Sequence, residues 1–369
     1  MAVGTGTTFN MTTGLMLDFE DMIYELDPFD TPYLGGLGAD GSSVLAMGDC
    51  YEKKVEWQEE DSLTPRTTLG AAYTAPAAFI TIVSGERERF QTDDIVLIDS
   101  QTLRITGYGT TSNTLTFVTW AGTDVNHANG SAVVGVGTAA VEGSDPSASR
   151  FRDRTAKFNL TQIIGPYRVS QSGSNIAVRK YGVSNEFDKQ VANRIKEAGV
   201  ACEQMIAYGT RVDDTANSRR SAGGIGFYIA TNTSSTATLT ETALLSAMQV
   251  CFDAGGNPNR IVGGSQQKRN ISAFSSSGVV EIQRDDVIRG RTASTFISDF
   301  GMSTVVLNRW YRPTDLHIFN RDQAELVTLR GLHYTALAKT GDAENGMIVG
   351  EKSLRFRSEK HAFKFTALT

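Results

Sequence analysis

The 369-residue chain is 40% hydrophobic and 21% charged, with 36 Gly but only 8 Pro, the make-up of globular protein in two or three packed units rather than of a fibrous or disordered chain. No apolar run reaches the roughly 18 residues of a membrane helix, and the opening MAVGTGTTFNMTTGLMLDFEDM lacks the basic start and apolar core of a secretory signal, so a cytoplasmic protein is expected. The net charge of -6 is unevenly placed: residues 1–52 hold no Lys, Arg or His and nine of the 41 acids, leaving 35 basic against 32 acidic residues, a net +3, in the remainder.

That acidic arm is either a solvated polar face or a segment that docks on a basic surface, its own or a neighbour's. Within it, LMLDFEDMIYEL (15–26) places Leu15, Phe19, Met22, Ile23 and Leu26 at helical spacing with most acids opposite. This predicts a short amphipathic helix, which Pro28 and Pro32 end. KKVEWQEEDSL (53–63) alternates Val55 and Trp57 with Lys54, Glu56 and Gln58, the pattern of a strand. Turn-rich stretches at 64–78 and 142–156 then flank residues 79–141, where FITIV, DIVLI, LRIT, LTFVTW and SAVVGV recur with turn residues between them. Such spacing predicts a small all-β barrel or sandwich, large enough to fold alone, if marginally.

KFNLTQIIGPYRVSQSG (157–173) reads as a strand broken at Gly165-Pro166 and resumed at Tyr167 and Val169. Its unpaired backbone needs a partner. The simplest is 53–63, which makes the β island an insertion between the two strands of one long hairpin. A two-stranded ribbon is weak in water, so it must rest on something else. The longest helix follows, SNEFDKQVANRIKEAGVACEQMIAYG (184–209): Ser184 or Asn185 caps it, Phe187, Val191, Ile195, Ala198, Cys202 and Met205 form one stripe, and Gly209 ends it. Its ~24 residues would span ~36 Å. Beyond lie helices from Thr240 to Ala254 and near 265–275, strands at STVVLN and DLHIFN, and a closing pair, SLRFRS with HAFKFTAL. Helices and strands mix without a βαβ rhythm, so the expected class is α+β.

Reactive groups give little. Ser265-Gln-Gln-Lys268 and Lys339-Thr340-Gly341 echo two boxes of penicillin-recognising enzymes, in which a Lys one helical turn after a Ser can act on its hydroxyl. The S-D-N box is missing, and Ser265 serves equally as a helix cap. His127, His317, His333 and His361 fall in separate elements without metal-ligand spacing. Cys50, Cys202 and Cys251 are widely spaced and odd in number, which suits reduced, buried thiols. Gly223-Gly224-Ile225-Gly226 is half a dinucleotide fingerprint and reads better as a turn. Basic clusters at 150–154, 219–220, 268–269 and 284–291 have no aromatic ladder, so solvated faces or subunit contacts come before loose phosphate contact. No catalytic, metal or cofactor residue is expected.

An acidic arm, a ribbon needing outside support, a long helix directly after it and an α+β body describe a subunit built to interlock. The ordered set LDPFDTPYL (26–34), VEWQEEDSL (55–63), NLTQIIGPYRVS (159–170), EFDKQVANRIKEAGVACEQMIAYG (186–209), GGIGFYI (223–229), FISDFGMSTVVLNRWYRPTDLHIFN (296–320) and LAKTGDAENGMIVGEKSLRFRS (337–358) resembles the major capsid proteins of tailed bacteriophages that carry a β insertion. The resemblance implies an α+β, Hong Kong 97-like capsid fold. Its parts would be an N-terminal arm (1–52), an extended-loop ribbon (53–63 and 157–170), an inserted β domain (79–141), a peripheral domain (171–214 and 311–369) with spine helix 184–208, and an axial domain (215–310). It also implies no enzyme but self-assembly through hexamers and pentamers into a virion capsid around double-stranded DNA, built in the host cytoplasm. Portal, scaffold or decoration proteins would be partners, with no membrane and no small-molecule substrate. Trp57, Glu59, Leu160, Ile164, Tyr167, Phe19, Met22 and Glu25 are the expected subunit contacts, the ribbon resting on an adjacent subunit. A nanocompartment shell around protein cargo and a tail or adhesion protein are the rival readings.

Overall fold

A computed structural model describes residues 30–35, 43–60, 64–143, 145, 154–180, 182–274, 295–339 and 341–369. The amphipathic segment 15–26, with Phe19, Met22 and Glu25, and the basic run 284–291 lie outside the described residues. The chain divides into two units, Met1–Trp57 with Ala156–Thr369, and Gln58–Thr155.

The first unit holds two larger sheets and a short hairpin, Val212–Asp214 with Arg219–Ser221. In one, the strands run in the order Ala46–Asp49, Ala324–Leu337, Ala343–Phe356, Gln162–Ser172, the first pair parallel and the others antiparallel. The helix Glu186–Tyr208 packs on this sheet. Asn185 caps it by accepting the amides of Phe187 and Asp188, which satisfies two otherwise orphaned donors. Burial differs along its length: Ala198, Gly199, Cys202, Glu203, Met205, Ile206 and Ala207 are buried, whereas no residue from Glu186 to Glu197 is fully covered. Ile195, expected in the apolar stripe, is 43% exposed, whereas Phe187 and Val191 of the same half pack, partly buried, against the main core.

Gly209 ends this helix for lack of space rather than for a left-handed turn. Its φ is -51°, and a Cβ there would come within 2.5 Å of the Met205 and Ala222 carbonyl oxygens. Gly224 donates to the Gly209 carbonyl at 2.8 Å, and a Cβ on it would meet the Met205 and Ile206 carbonyls at 2.6 Å. The Gly223-Gly224 pair is thus a close-packed turn seated on the helix end.

The second sheet orders its strands Thr233–Ser234, Phe363–Phe365, Leu316–Phe319, Arg260–Gly263, Gly301–Leu307, Thr295–Ser298. Arg260–Gly263 is buried at every residue, parallel to Gly301–Leu307 and antiparallel to Leu316–Phe319. Helices Glu241–Asp253 and Ser265–Phe274 contribute Leu244, Ala247, Cys251 and Ile271 to a core with Ile261, Val305, Ile318, Phe363 and Phe365. The closing segments do not pair as expected. Phe363–Phe365 pairs with Leu316–Phe319, while Ala343–Phe356 lies in the other sheet between Ala324–Leu337 and Gln162–Ser172.

In the second unit six antiparallel strands run in the order Arg66–Thr68, Ala132–Thr138, Asp94–Ile98, Gln101–Tyr108, Thr114–Ala121, Phe79–Thr81. Leu69 and Ile82 bridge next to the two end strands and close the sheet around Leu69, Tyr73, Ile80, Ile82, Phe90, Val96, Leu103 and Ile105. Arg66–Thr68 comes from the stretch that sequence reasoning gave to a linker.

The ribbon is shorter than expected. Lys54–Glu60 pairs with Arg154–Leu160, but Gln162–Ser172 leaves it to pair with Ala343–Phe356. The ladder skips at Gly165-Pro166 and resumes at Tyr167. Replacing Asn185 by Ala removes the helix cap without touching the core and should cost about 1 kcal/mol, read as a lower denaturant midpoint with unchanged slope.

Candidate functional site

The chain passes from the ribbon to the four-stranded sheet at Asn159-Leu160-Thr161, and strand alternation fails there because all three residues are buried. A two-stranded ribbon cannot hold its own direction. Its root is instead held by side-chain hydrogen bonds within the first unit. Asn159, 0% exposed, donates through Nδ2 to the carbonyls of Gly223 at 2.9 Å and Leu354 at 2.6 Å, and its Oδ1 accepts the amides of Gly223 at 2.8 Å and Leu160 at 2.9 Å. Ser353 Oγ donates to the Leu160 carbonyl at 2.8 Å, and the Thr161 amide to the Lys53 carbonyl at 2.8 Å. Arg211 and the Tyr228 hydroxyl both donate to the Phe158 carbonyl, at 2.7 and 2.8 Å, while the Arg211 guanidinium sits 4.0 Å from the Phe158 ring centroid.

One buried carboxylate ties this root to the four-stranded sheet. Glu351 accepts the Thr161 hydroxyl at 2.9 Å and Arg330 Nε at 3.1 Å, and is ion-paired with Arg220. Arg220 Nε also donates to the Thr161 carbonyl at 2.7 Å. Burial pushes the Glu351 carboxyl up, but the Thr161 hydroxyl and the two arginines outweigh it and hold the group below the usual carboxylate range. Its stabilisation is therefore present above the ordinary glutamate range and is lost as pH falls below it.

A second polar cluster fixes the arm where the described chain begins. Glu203, on the long helix and fully buried, accepts the amides of Tyr33 at 2.7 Å and Leu34 at 3.0 Å on one oxygen and Asn308 Nδ2 at 2.9 Å on the other. Asn308 Oδ1 accepts the Trp310 amide at 2.9 Å, and Trp310 Nε1 donates to the Asp30 carbonyl at 2.7 Å. The hydroxyls of Tyr33 and Tyr311 lie 2.5 Å apart, and Tyr311 Oη is 2.7 Å from His317 Nδ1. Burial pushes Glu203 up to about 7 and His317 down to about 3, so the imidazole is neutral. Sequence reasoning saw the stripe containing Cys202 but gave its neighbour Glu203 no role; an acid at a buried helical position was the available signal.

The residues expected at subunit contacts separate. Trp57 is 9% exposed, with its ring centroid 5.8 Å from that of Tyr228; Leu160 and Ile164 are buried, and Tyr167 packs against the main core. Their own chain covers these four side chains. Glu59 is half-buried, and the three arm residues fall outside the described chain. The catalytic echo dissolves into three structural roles. Ser265 is the first residue of its helix, Lys268 Nζ donates to the Val305 carbonyl at 2.9 Å, and Lys339 pairs with Glu344 at 3.4 Å beside the turn joining two strands of the other sheet. Cys50, Cys202 and Cys251 are free and buried, and burial raises the Cys202 and Cys251 thiols to about 12. Among the described residues no group of three or more His, Cys, Asp or Glu could hold a metal ion, and no helix is long and apolar enough to cross a membrane.

The model of the SU10 major capsid protein family matches residues 1–369. No curated protein matches the chain in sequence. Among solved structures, one from Microbacterium phage Oxtober96 is 12% identical with a TM-score of 0.56, covering 98% of this chain and 99% of that one. The capsid of Myoviridae Phage XM1 is 10% identical with a TM-score of 0.52, covering 100% of both chains, and Gordonia phage Cozz is 8% identical with a TM-score of 0.53, covering 100% of this chain and 97% of that one. At such identities the likeness is one of fold, the α+β, Hong Kong 97-like capsid fold.

Asn159→Ala strands the Gly223 amide and the Leu160 amide from their side-chain acceptor in a buried setting. It should cost about 2–4 kcal/mol, measured by denaturant unfolding of the full chain.

Proposed function

The chain belongs to the SU10 major capsid protein family, and we propose that its copies assemble through hexamers and pentamers into an icosahedral head enclosing double-stranded DNA. A major capsid protein of tailed phages is a structural component of the virion. The observation that carries the finer reading is the pinned ribbon. Lys54–Glu60 and Arg154–Leu160 form a two-stranded element that would be weak alone, yet six side chains fix its root. Such an element is suited to be handed, already oriented, to another copy. Ile195, exposed on the first half of the long helix, offers a further contact of the same kind.

In this reading the arm (1–52), the ribbon (53–63 with 154–160), the inserted β-rich segment (79–141), the peripheral region (171–214 and 311–369) and the axial region (215–310) divide the labour of assembly. Phe19, Met22 and Glu25 of the arm and Glu59 of the ribbon make the contacts between copies. Trp57 and Leu160 hold the ribbon to its own body, and Ile164 and Tyr167 sit in the neighbouring strand Gln162–Ser172 of the four-stranded sheet. Each contact is modest, and repetition over a closed shell makes the sum large. Portal, scaffold or decoration proteins join the shell in the host cytoplasm, and DNA is met by non-specific contact. The acidic arm, seated on a slightly basic body, keeps its negative charge from the packaged phosphates.

Electron microscopy of the recombinant chain after size exclusion, with absorbance read for nucleic acid, should show closed shells or ring-shaped capsomers. Replacing Asp18, Glu20, Asp21 and Glu25 by their amides should lower shell yield at low salt, where charge attraction is least screened. Elongated oligomers would contradict the shell; unchanged yield would remove the arm's electrostatic part.

A further inference from the structure

We propose that Gly48 and Glu325 form a register stop for the strand Ala46–Asp49, and that this stop fixes where the first strand of the ribbon begins. Ala46–Asp49 runs parallel to Glu325–Thr328, with Gly48 beside Val327. Its own side chains do little to select that register, since Met47 is 51% exposed and Gly48 offers nothing to pack. Glu325 selects it. Its carboxylate is ion-paired with Arg355 and Arg357 and lies so close over the strand that a Cβ on Gly48 would overlap Oε1 and sit 3.1 Å from Cδ. A free glutamate would swing its end aside, but this one would have to give up two guanidinium partners to do so. Every other register sets a Cβ in that place: Met47 or Asp49 after a slip of one residue, Ala46 or Cys50 after a slip of two. A slip of one also turns the strand's side chains to the wrong faces, whereas a slip of two keeps each on its face and meets the stop.

The stop bears on the ribbon because residues 50–53 alone separate Asp49 from Lys54, where the ribbon starts. Both ends of that connection are tied to the four-stranded sheet and the ribbon root. The Cys50 amide donates to the Thr328 carbonyl at 3.1 Å, and the Lys53 carbonyl accepts the Thr161 amide at 2.8 Å. Cys50 and Val55 pack with Val327 in a small core of their own. One residue of slip moves the chain ~3.3 Å along the sheet, more than either hydrogen bond can absorb. The side chains around Asn159 thus place the returning strand of the ribbon, and the register of Ala46–Asp49 places the outgoing one. That the start of the ribbon matters to assembly rests on the shell reading; the stop itself lies within one chain and is measured without shells.

Thiol labelling of the unassembled full chain tests the stop, because three buried free thiols report on different places: Cys50 at the end of the strand, Cys202 and Cys251 in the two larger cores. In G48A, labelling of Cys50 should rise about tenfold, the worth of one hydrogen bond to a charged group, and exchange of the Thr161 amide should rise with it. Cys202 and Cys251 should stay as protected as in wild type. E325A clears the space over the strand, so adding G48A to it should leave Cys50 labelling at the level of E325A alone. Shell yield of the same variants on micrographs reports the proposed assembly separately. Where G48A exposes all three thiols, the double variant decides: E325A should restore protection of Cys202 and Cys251. Equal Cys50 labelling in wild type and G48A, a G48A effect as large in the E325A background, or no rescue by E325A of an unfolded G48A chain overturns the stop.

Discussion

A buried amide or carbonyl without a partner costs about 1–3 kcal/mol, and the geometry of the ribbon follows from how its root meets that constraint. The chain must leave the four-stranded sheet at Thr161 and enter a ribbon that has one partner strand. At that crossing the ribbon strand has a partner on one edge alone, and the backbone groups of Phe158, Asn159 and Leu160 that face the body need other partners. Side chains take over: Asn159 serves two carbonyls and two amides, Arg211 and Tyr228 share the Phe158 carbonyl, and Ser353 serves Leu160. Because each of these partners is itself anchored in the sheet or at the end of the long helix, the direction of the ribbon is inherited from the core. For a capsid subunit this matters: a contact segment oriented before assembly loses less entropy when it docks.

Two buried glutamates on this framework show how environment sets charge. Glu351 meets two guanidinium groups, which with the Thr161 hydroxyl hold it below the usual carboxylate range. Glu203 meets only neutral donors and is raised to near neutral by burial. The first fastens the root of the ribbon, and the second joins residues 33–34, the long helix and Asn308. Both act on segments that the proposed assembly would use, the ribbon and the arm.

Local signals were read well from the sequence and long-range partners were not. The long helix was legible from Asn185 to Gly209 because cap and stripe are local, although Gly209 is there for close approach and Ile195 is exposed. Period-two alternation showed that 157–173 is extended, but periodicity carries no information about which strand lies alongside. Its second half found Ala343–Phe356 instead of the ribbon. The central strand Arg260–Gly263 escaped notice because four residues, one of them a buried arginine, make too short an apolar run. That Trp57 and Leu160 are covered or served within their own chain was not legible because the residues that do so, Tyr228 and Ser353 among them, are distant in sequence.

Amide exchange at Leu160 and Thr161, which donate to Asn159 Oδ1 and the Lys53 carbonyl, compared between unassembled subunits and assembled shells, tests the central claim most directly. A root built within one chain predicts strong and equal protection in both. Rapid exchange in the free subunit, with protection appearing only in shells, would show that neighbours rather than the chain's own side chains set the ribbon, and would contradict it.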